Sequence, residues 1–280
     1  GTLFPYTTLF RSTRLPHMLS ELVSIVRRAG EHARSYFDNR SRLTVDFKNP
    51  RDLVTQADRE VEQRLRRDLA AAFDDVAFLG EEGGASDRDN PRQFVADPID
   101  GTTNFVHGYP FYAVSLAYRA HGVAECALVY APSLDQLFTA ARGQGAQLNG
   151  TPVTVSDCDQ LGHALAATGF ACVRDDVTPN SLPLFNHMIY RLRDIHRDGS
   201  AALDLCYVAA GIYDLFWERN LNPWDTAAGA LILAEAGGRL SAFDGGHDYE
   251  ARRELVAANP RLHAAALAEI AALQSAGSPG

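Results

Sequence analysis

The amino-acid sequence predicts an α/β protein made of two closely packed subdomains. Helical patterns alternate along the chain with short runs that are typical of β-strands. The 280 residues are 46% hydrophobic, which is enough to bury a large core. No internal repeat or low-complexity linker separates the halves, so we expect the subdomains to share a broad interface. We divide them near residue 150, into residues 16–150 and residues 151–274.

The N-terminal segment is set apart from the fold. Gly1 to Ser12 resembles the translation of a common DNA-sequencing adapter. Such a segment is not expected to contribute to the native fold. We expect residues 1–15 to be disordered and the natural chain to begin near Met18.

Two amphipathic helices are predicted in the first half, one from Leu19 to Asn39 and one that begins near Thr55. Their apolar residues recur every three or four positions, which places them on one helix face. These residues are Leu22, Val23, Val26, Ala29, Ala33 and Phe37 in the first helix, and Val61, Leu65, Leu69 and Phe73 in the second.

Short strands are predicted after these helices, and the second half of the chain is predicted to contain both helices and strands. The hairpin predicted at residues 142–150 contains a Gly-Gln-Gly that lacks the third glycine and the strand-to-helix setting of a dinucleotide site. The other strands are predicted at Val76–Leu79, Phe94–Ala96, Tyr112–Tyr118, Ala124–Tyr130, Gln136–Ala140, Ile212–Trp217 and Leu255–Ala258. Three further helices are predicted at Ala201–Ala210, Asp225–Ala236 and Arg261–Gln274.

Charge and cysteine content exclude several classes of protein. The formal net charge is −9, and the Lys and Arg residues are scattered, which argues against nucleic acid as the main ligand. The distant cysteines form no CxxC pair, so we predict neither a thiolate zinc site nor a disulfide framework. No apolar run reaches the roughly 20 residues that span a bilayer. We therefore expect a cytoplasmic protein that does not enter a membrane.

The most informative segment is residues 94–105, where a β-like run meets a proline and two aspartates. Pro98 cannot continue a ladder and holds Asp97 extended, so the Asp97 carboxylate should project from a strand end. Asp100 and the glycine after it can open a short helix whose free N–H groups face the same space. Magnesium prefers oxygen ligands and phosphate suits exposed backbone amides, so one turn can serve both. A turn with an aspartate cap is the alternative.

Three other acidic sites occur at predicted element ends. Glu81 and Glu82 follow a strand and a glycine, and a solvated acidic loop is the alternative to a functional role. Asp225 lies in the first turn of a helix, where a carboxylate also suits the helix dipole. Asp58 stands three residues after Thr55, which is close to a capping box. Each residue alone therefore has a purely structural explanation.

Together these segments resemble the inositol monophosphatase family, especially its bacterial members. The likeness covers roughly residues 19–270, in the family's order and close to its spacing. The matching segments are Asp52–Asp58, Gly80–Glu82, Asp97–Phe105, Arg142–Gly150, Gly199–Asp204 and Trp224–Gly229. The resemblance implies a layered αβαβα sugar-phosphatase fold, a homodimer, and two or three Mg²⁺ ions between the two halves.

The resemblance also implies a set of metal ligands. Glu81 and Asp97 would join the backbone carbonyl of Ile99 at one ion. Asp97, Asp100 and Asp225 would hold the second, so that Asp97 bridges the two ions. Such ions screen the charge of a phosphate and activate a water that attacks phosphorus.

Catalytic and substrate-binding roles are implied in the same way. Thr102 paired with Asp58 would orient or deprotonate the attacking water, assisted by Glu81. The amides of Gly101 and Thr102 would hold phosphate oxygens, and Glu218 would read the substrate's hydroxyls unless it is merely an exposed strand end. The full implied substrate-binding set is Asp100, Gly101, Thr102, Thr103, Ser200, Ala201 and Glu218.

Two departures from the family's pattern limit what can be carried over. The loop at residues 48–50 is shorter than in some relatives, which leaves a third metal site open. Arg197 could reach a second anionic group on a larger substrate, but we favour a surface position for it.

The implied function is magnesium-dependent hydrolysis of a small polyol or sugar phosphate, inhibited by lithium, with inositol-1-phosphate as the leading substrate. Histidinol phosphate, fructose 1,6-bisphosphate and a nucleotide 3′-phosphate are alternatives, because the metal core recognises the phosphate and not the leaving group. A different class of hypothesis is a dimeric interaction protein with residual catalysis. A zinc hydrolase is disfavoured because the matching motifs contain no histidine ligand; His107 is nearest, and we interpret it as a helix-end residue.

Overall fold

The structure is a computed structural model, and it describes residues 6–49, 51–87 and 89–276. The side chains of residues 6–14, 42, 49, 52 and 276 lie outside this description. The α-helices in these ranges are α1 Tyr6–Asp38, α2 Gln56–Ala72, α3 Thr102–His107, α4 Ala171–Arg174, α5 Leu182–Met188, α6 Ala201–Ala209, α7 Pro223–Glu235, α8 Tyr249–Arg252 and α9 Pro260–Ala276.

The strands form three sheets. The bounds of the strands are β1 Val45–Asn49, β2 Asp52–Thr55, β3 Ala77–Gly80, β4 Gly84–Ala85, β5 Arg92–Asp100, β6 Ala113–Ala120, β7 Val123–Ala131, β8 Gln136–Ala141, β9 Ala146–Leu148, β10 Thr151–Val153, β11 Leu165–Thr168, β12 Asp194–His196, β13 Leu215–Arg219, β14 Arg239–Ser241 and β15 Glu254–Ala258. β1 and β2 pair by themselves. The eight-stranded sheet has the order β10-β9-β8-β7-β6-β5-β3-β4, and the five-stranded sheet has the order β12-β11-β13-β15-β14.

The elements stack in five layers, which confirms the predicted αβαβα arrangement. Helices α1 and α2 cover one face of the eight-stranded sheet, and α6 and α7 lie between the two sheets. Helices α5 and α9 cover the outer face of the five-stranded sheet. Each helix layer buries an apolar face against a sheet, so three apolar clusters hold the layers together. The middle cluster joins the two halves of the chain through α6 and α7.

The N-terminal helix is longer than predicted. It begins at Tyr6 and passes through Pro16, so the part of the expected disordered segment from residue 6 onward is helical. Leu15 and Met18 pack against the apolar cluster under α1 and α2, and this contact extends the helix beyond the periodic pattern that starts near Leu19. The expected disorder of residues 1–5 falls outside the described residues.

Several boundaries in the second half differ from prediction. The strand expected at 212–217 begins only at Leu215, because Ile212 N and Tyr213 N both donate to Tyr207 O and so form the turn that closes α6. Short elements such as β11, β12 and β14 were not predicted, since three or four residues carry too little periodicity. The division near residue 150 stays a prediction; β10, which lies just beyond it, still pairs with β9 in the first sheet.

Membrane-spanning helices and disulfide bonds are both absent from the described residues. Within the described residues, no helix combines the length and the apolar character that a membrane span requires. The cysteines are free thiols, and the described residues contain no disulfide among Cys126, Cys158, Cys172 and Cys206.

Candidate active site

A cleft of about 790 Å³, its open mouth included, is lined by residues from both halves of the chain. Most of the residues predicted for the site meet in it, although they are distant in sequence. From the predicted set the cleft is lined by Glu81, Asp97, Ile99, Asp100, Gly101, Thr102, Thr103, Ala201, Glu218 and Asp225. Asp58 and Ser200 are buried behind this lining.

The turn at the end of β5 sets the centre of the cleft. Asp97 pairs with Ser115 of β6 and Asp100 pairs with Ala113, so β5 advances three residues while β6 advances two. This bulge bends β5 and re-aims its side chains. Asp97 Oδ1 accepts a hydrogen bond of 2.9 Å from Ile99 N, which ties down one carboxylate oxygen. The bulge therefore brings two carboxylates and a backbone carbonyl to one strand end.

Gly101 lets the chain pass directly from β5 into α3. Its φ of 95° is left-handed, a conformation that glycine adopts without a steric penalty. A Cβ at this position would lie 3.0 Å from Phe111 O and 3.2 Å from Gly199 O. The backbone is therefore packed closely on both sides of the turn, and the residues at the start of α3, Gly101 to Thr103, line the cleft.

Asp100 is held by the second half of the chain. Its Oδ2 accepts hydrogen bonds from Ser200 Oγ at 2.5 Å and from Ala202 N at 2.7 Å. Burial raises the pKa of Asp100 to about 6, although these hydrogen bonds oppose the rise. The Ser200 hydroxyl, predicted to contact substrate, is thus engaged with Asp100 beneath the cleft, whereas Ala201 reaches the cleft surface.

Asp225 enters the cleft from the first turn of α7. Its Oδ2 accepts a 2.7 Å hydrogen bond from the backbone N–H of Asn222, the residue that precedes α7. Burial raises the pKa of Asp225 well above its ordinary value, and the charges of Asp100 and Glu81 raise it further. The helix cap orients this carboxylate, and its neighbours make it costly to ionise.

The Asp97 carboxylate is repelled by four other acids in or behind the cleft. Burial is the main reason why its pKa lies well above the ordinary value, followed by repulsion from Glu81, Asp100, Asp225 and Asp58. Each of the three cleft aspartates has one oxygen in a hydrogen bond within the protein. Buried carboxylates that repel one another and keep a second oxygen available suit hard divalent cations such as Mg²⁺.

Among the described residues, no three His, Cys, Asp or Glu side chains form a ready-made metal-binding group. The Glu81 carboxylate is paired with Lys48, whose Nζ lies 2.8 Å from Glu81 Oε1 and 2.6 Å from Glu82 Oε1. Burial lowers the pKa of Lys48, but the two glutamates outweigh it and raise that pKa. The donor set fits a divalent ion by its chemistry, and Glu81 would have to leave Lys48 to contribute.

A hydroxyl–carboxylate pair lies beside this acid cluster. Thr102 Oγ1 is 3.2 Å from Asp58 Oδ1 and 3.1 Å from Ile99 O. Asp58 Oδ2 accepts from Thr55 N at 2.8 Å and from Thr55 Oγ1 at 2.6 Å, which completes the predicted capping box of α2. Burial raises the pKa of Asp58 to about 6. Asp58 is therefore both a helix-capping residue and the partner of a hydroxyl in the cleft.

Glu218 lies on the opposite wall and is not an exposed strand end. It is 7% exposed, and its Oε1 accepts a 3.1 Å hydrogen bond from Ala171 N. Burial raises its pKa to about 7, and Arg197 partly offsets this rise. A Cβ on Gly169 would collide with the Glu218 carboxylate. Arg197 is exposed, as expected, but it also lines the cleft.

Sequence reasoning missed the rim of the cleft. Phe170, Ala171 and Arg174 line it from the segment after β11, a strand that carried no clear pattern. It also gave no role to Asn104, whose Nδ2 donates to Phe111 O and Asp198 O, both at 2.6 Å. Asn104 thus ties α3 to the turn that carries Ser200. Its place between Asp100 and Phe105 in the matching segment was the available signal.

Comparisons with known proteins identify relatives over nearly the whole chain. A model of the inositol monophosphatase family matches residues 15–275. "Nus factor SuhB" of Pseudomonas aeruginosa is 42% identical over 259 residues, which are 90% of this chain and 95% of that protein. The protein of the same name from Escherichia coli K12 is 39% identical over 254 residues, with the same coverage.

Solved structures show the same fold. The extragenic suppressor protein suhB from Bartonella henselae superposes with a TM-score of 0.85 at 36% identity, covering 91% of this chain and 98% of that one. Inositol monophosphatase from Anabaena (Nostoc) sp. PCC 7120 superposes with a TM-score of 0.84 at 32% identity, covering 93% of this chain and 97% of that one.

Proposed function

This chain belongs to the inositol monophosphatase family, and from that premise we propose that it is a magnesium-dependent phosphatase. Its substrate would be a small polyol phosphate monoester, with inositol-1-phosphate as the leading candidate. The observation that supports this most is the set of three buried aspartates on one cleft, Asp97, Asp100 and Asp225, whose charges repel one another. Only bound cations would make so negative a site receptive to a phosphate.

The proposed metal ligands are those that the family resemblance implied. Glu81, Asp97 and the Ile99 carbonyl would hold one ion, and Asp97, Asp100 and Asp225 would hold another. When bound, Mg²⁺ would neutralise phosphate charge and make a water more nucleophilic.

The chain's own residues would do the rest. The amides at the start of α3, at Gly101 and Thr102, would donate to phosphate oxygens, because the first N–H groups of a helix have no intrahelical acceptor. Thr102 and Asp58 would orient the attacking water and take its proton, Asp58 being the acceptor at the end of the hydrogen-bonded pair. Ser200 would fix the orientation of Asp100 from below.

Substrate selection would lie on the opposite wall. The Glu218 carboxylate is set in place by Ala171 N and would accept hydrogen bonds from vicinal hydroxyls. Ala201 and Thr103 line the same space. Histidinol phosphate, fructose 1,6-bisphosphate and a nucleotide 3′-phosphate stay as alternatives, since none of these contacts excludes them.

Phosphate release from a panel of substrates tests the proposal. Inositol-1-phosphate, histidinol phosphate, fructose 1,6-bisphosphate and adenosine 3′,5′-bisphosphate would be compared with and without Mg²⁺. We expect turnover only with the metal, the highest kcat/KM on inositol-1-phosphate, and inhibition by millimolar lithium. Turnover in the presence of EDTA, or indifference to lithium, would contradict the assignment.

A second candidate function comes from the relatives' names. The curated relatives described above are named Nus factor SuhB and not phosphatase. In this second candidate the chain acts chiefly by binding other macromolecules, as a homodimer with residual catalysis. A folded protein that binds Mg²⁺ yet releases no phosphate from any substrate of the panel would favour it. Sedimentation would test the homodimer, and cell fractionation the expected cytoplasmic location.

A further inference from the structure

A second cavity lies along one side of α7, beyond the residues that the helix gives to the cleft. It encloses about 1620 Å³, its open mouth included, between the β6–β7 turn, the side of α7 from Ala227 to Ala234, and the segment from β14 to α8. On α7 the cavity is lined from Ala227, two positions after Asp225, to Ala234, which lies roughly 14 Å from Asp225 along the helix axis. The two spaces therefore share a helix but no lining residue.

The acidic side chains that line this cavity are already paired. Both carboxylate oxygens of Glu250 accept from the guanidinium of Arg119, and Asp248 accepts from Arg252 Nε at 2.8 Å. Little negative charge is left to repel an anion.

Arg119 is neutralised by Glu250, but two other arginines of the lining, Arg142 and Arg239, are not paired with a carboxylate of the described residues. Arg142 Nε donates a 2.8 Å hydrogen bond to Ala124 O. The two terminal nitrogens of Arg142 have no carboxylate partner among the described residues. The side chain of Arg239 makes no hydrogen bond or ion pair with any other described residue. Deeper in the wall, Arg119 Nε is buried and unpaired. In a protein of net charge −9, this cavity concentrates unused positive charge.

Apolar side chains complete the wall. Val123 stands 44% exposed at the mouth, and Leu231 lies buried on α7. Tyr249 is partly buried beside them. A ligand with an apolar body and a negatively charged end would bury its apolar body against these side chains. Its charged end would then contact the arginines.

We propose that this cavity is a binding site for a small organic phosphate. Arg142 and Arg239 hold the phosphate, and the organic part lies against Val123 and Leu231. Phosphate is preferred over carboxylate because two guanidinium groups can share the oxygens and the double charge of a phosphomonoester. The site is separate from the proposed catalytic cleft and needs no metal ion.

Calorimetric titration of the full chain with phenylphosphonate tests the proposal. The probe has a P–C bond that a phosphatase cannot hydrolyse, and EDTA keeps the acidic cleft free of metal and unreceptive to anions. We expect saturable binding of one molecule per chain and, in the double variant Arg142→Gln/Arg239→Gln, a loss of affinity of roughly tenfold or more. Benzoate, which has the same ring and a single charge, should bind at least about tenfold more weakly than the phosphonate.

Two control variants separate this site from its alternatives. Arg67→Gln/Arg261→Gln removes the same charge from exposed positions outside the cavity and should leave the affinity unchanged. Asp225→Asn alters only the cleft and should also leave it unchanged. Absence of saturable binding up to roughly 10 mM, equal affinity in the Arg142/Arg239 variant, or equal affinity for benzoate would each overturn the proposal.

Discussion

Thr102 Oγ1 lies 3.2 Å from Asp58 Oδ1, although 44 positions separate the two residues. The pair joins the start of α3 to the start of α2. Thr55 holds the other Asp58 oxygen through its backbone N–H and its hydroxyl. One oxygen of the Asp58 carboxylate thus accepts hydrogen bonds in the cap of α2, and the other accepts a hydrogen bond from Thr102 in the cleft.

Asp58→Asn should therefore lower kcat strongly and stability only slightly. The amide oxygen of asparagine can still accept from Thr55, so the cap is largely kept, but the side chain can no longer take a proton. We expect kcat to fall by about 10²- to 10⁴-fold, the usual contribution of a general base. Steady-state kinetics with Mg²⁺ would measure this loss. Asp46→Asn, at an exposed partner of Arg59, is the matched control; a wild-type kcat in Asp58→Asn would exclude the proposed role.

Asp225→Asn should strongly reduce the stabilisation that Mg²⁺ gives without harming the metal-free protein. The variant keeps an oxygen for Asn222 N and removes a buried charge that Asp100 and Glu81 repel. At a metal concentration of 100 Kd the wild type should gain about 2.7 kcal/mol in free energy of unfolding, and the variant much less.

Thermal unfolding with and without Mg²⁺ would show the difference between the two proteins. Asp244→Asn, at an exposed ion pair with Arg252, should respond to Mg²⁺ like the wild type. An unchanged metal response in Asp225→Asn would remove that residue from the ligand set.

Glu218→Gln should become relatively more stable as the pH rises. The pKa of Glu218 lies at about 7 against an ordinary 4.5, because of burial. For an acid with a raised pKa, the contribution to stability is fully present below pH 4.5 and is lost as the pH rises through about 7. The uncharged variant escapes that loss, which is on the order of 3 kcal/mol.

Urea unfolding of metal-free protein at several pH values would measure this trend. Glu269→Gln is the control: burial raises the pKa of Glu269, but hydrogen bonds with His187 and Arg191 outweigh it and lower that pKa. The control should not gain stability with pH, and a flat difference for Glu218→Gln would mean that Glu218 is not held in a buried state.

Glu62→Gln should weaken both the fold and metal binding. Glu62 is 3% exposed, and its two oxygens accept from Glu82 N and Gly83 N, each at 2.8 Å. The amide nitrogen of glutamine would face one of these donors, leaving a buried N–H unpaired at a cost of about 1–3 kcal/mol. The turn that carries Glu81 would then loosen.

Chemical unfolding and Mg²⁺ titration together would test this positioning role. Glu60→Gln, on the more exposed side of α2, should change neither the metal affinity nor, by more than about 1 kcal/mol, the stability. A destabilised Glu62→Gln with wild-type Mg²⁺ affinity would show a purely structural residue.

Gly169→Ala should impair polyol substrates selectively. The added methyl group would collide with the Glu218 carboxylate, which must then move from its place beside Ala171 N. We expect KM for inositol-1-phosphate to rise, while KM for p-nitrophenyl phosphate, which has no hydroxyl groups, stays nearly constant. Gly162→Ala, where the nearest atom to an added Cβ would be Arg191 O at 3.9 Å, controls for glycine replacement. Equal effects on both substrates would argue against hydroxyl recognition by Glu218.

The main elements were predictable because each carries its own pattern. The long helices α1, α2, α7 and α9 and the strands β5 to β8 bury regularly spaced apolar residues. Several of the elements that were missed, such as β11, β12 and α4, are only three or four residues long. Their stability comes from neighbouring layers rather than from their own residues, so the sequence contains little local signal for them.

For the site, the sequence by itself determined the chemical types and the helix and strand ends that carry them: acids at Glu81, Asp97, Asp100 and Asp225. Only the tertiary structure decided what each oxygen faces. Ser200 is 100 positions from Asp100 yet donates to it, and Lys48 reaches Glu81 from a separate hairpin. Hydrogen-bond partners and buried charges depend on which distant segments the packed layers bring together, and no local pattern encodes that.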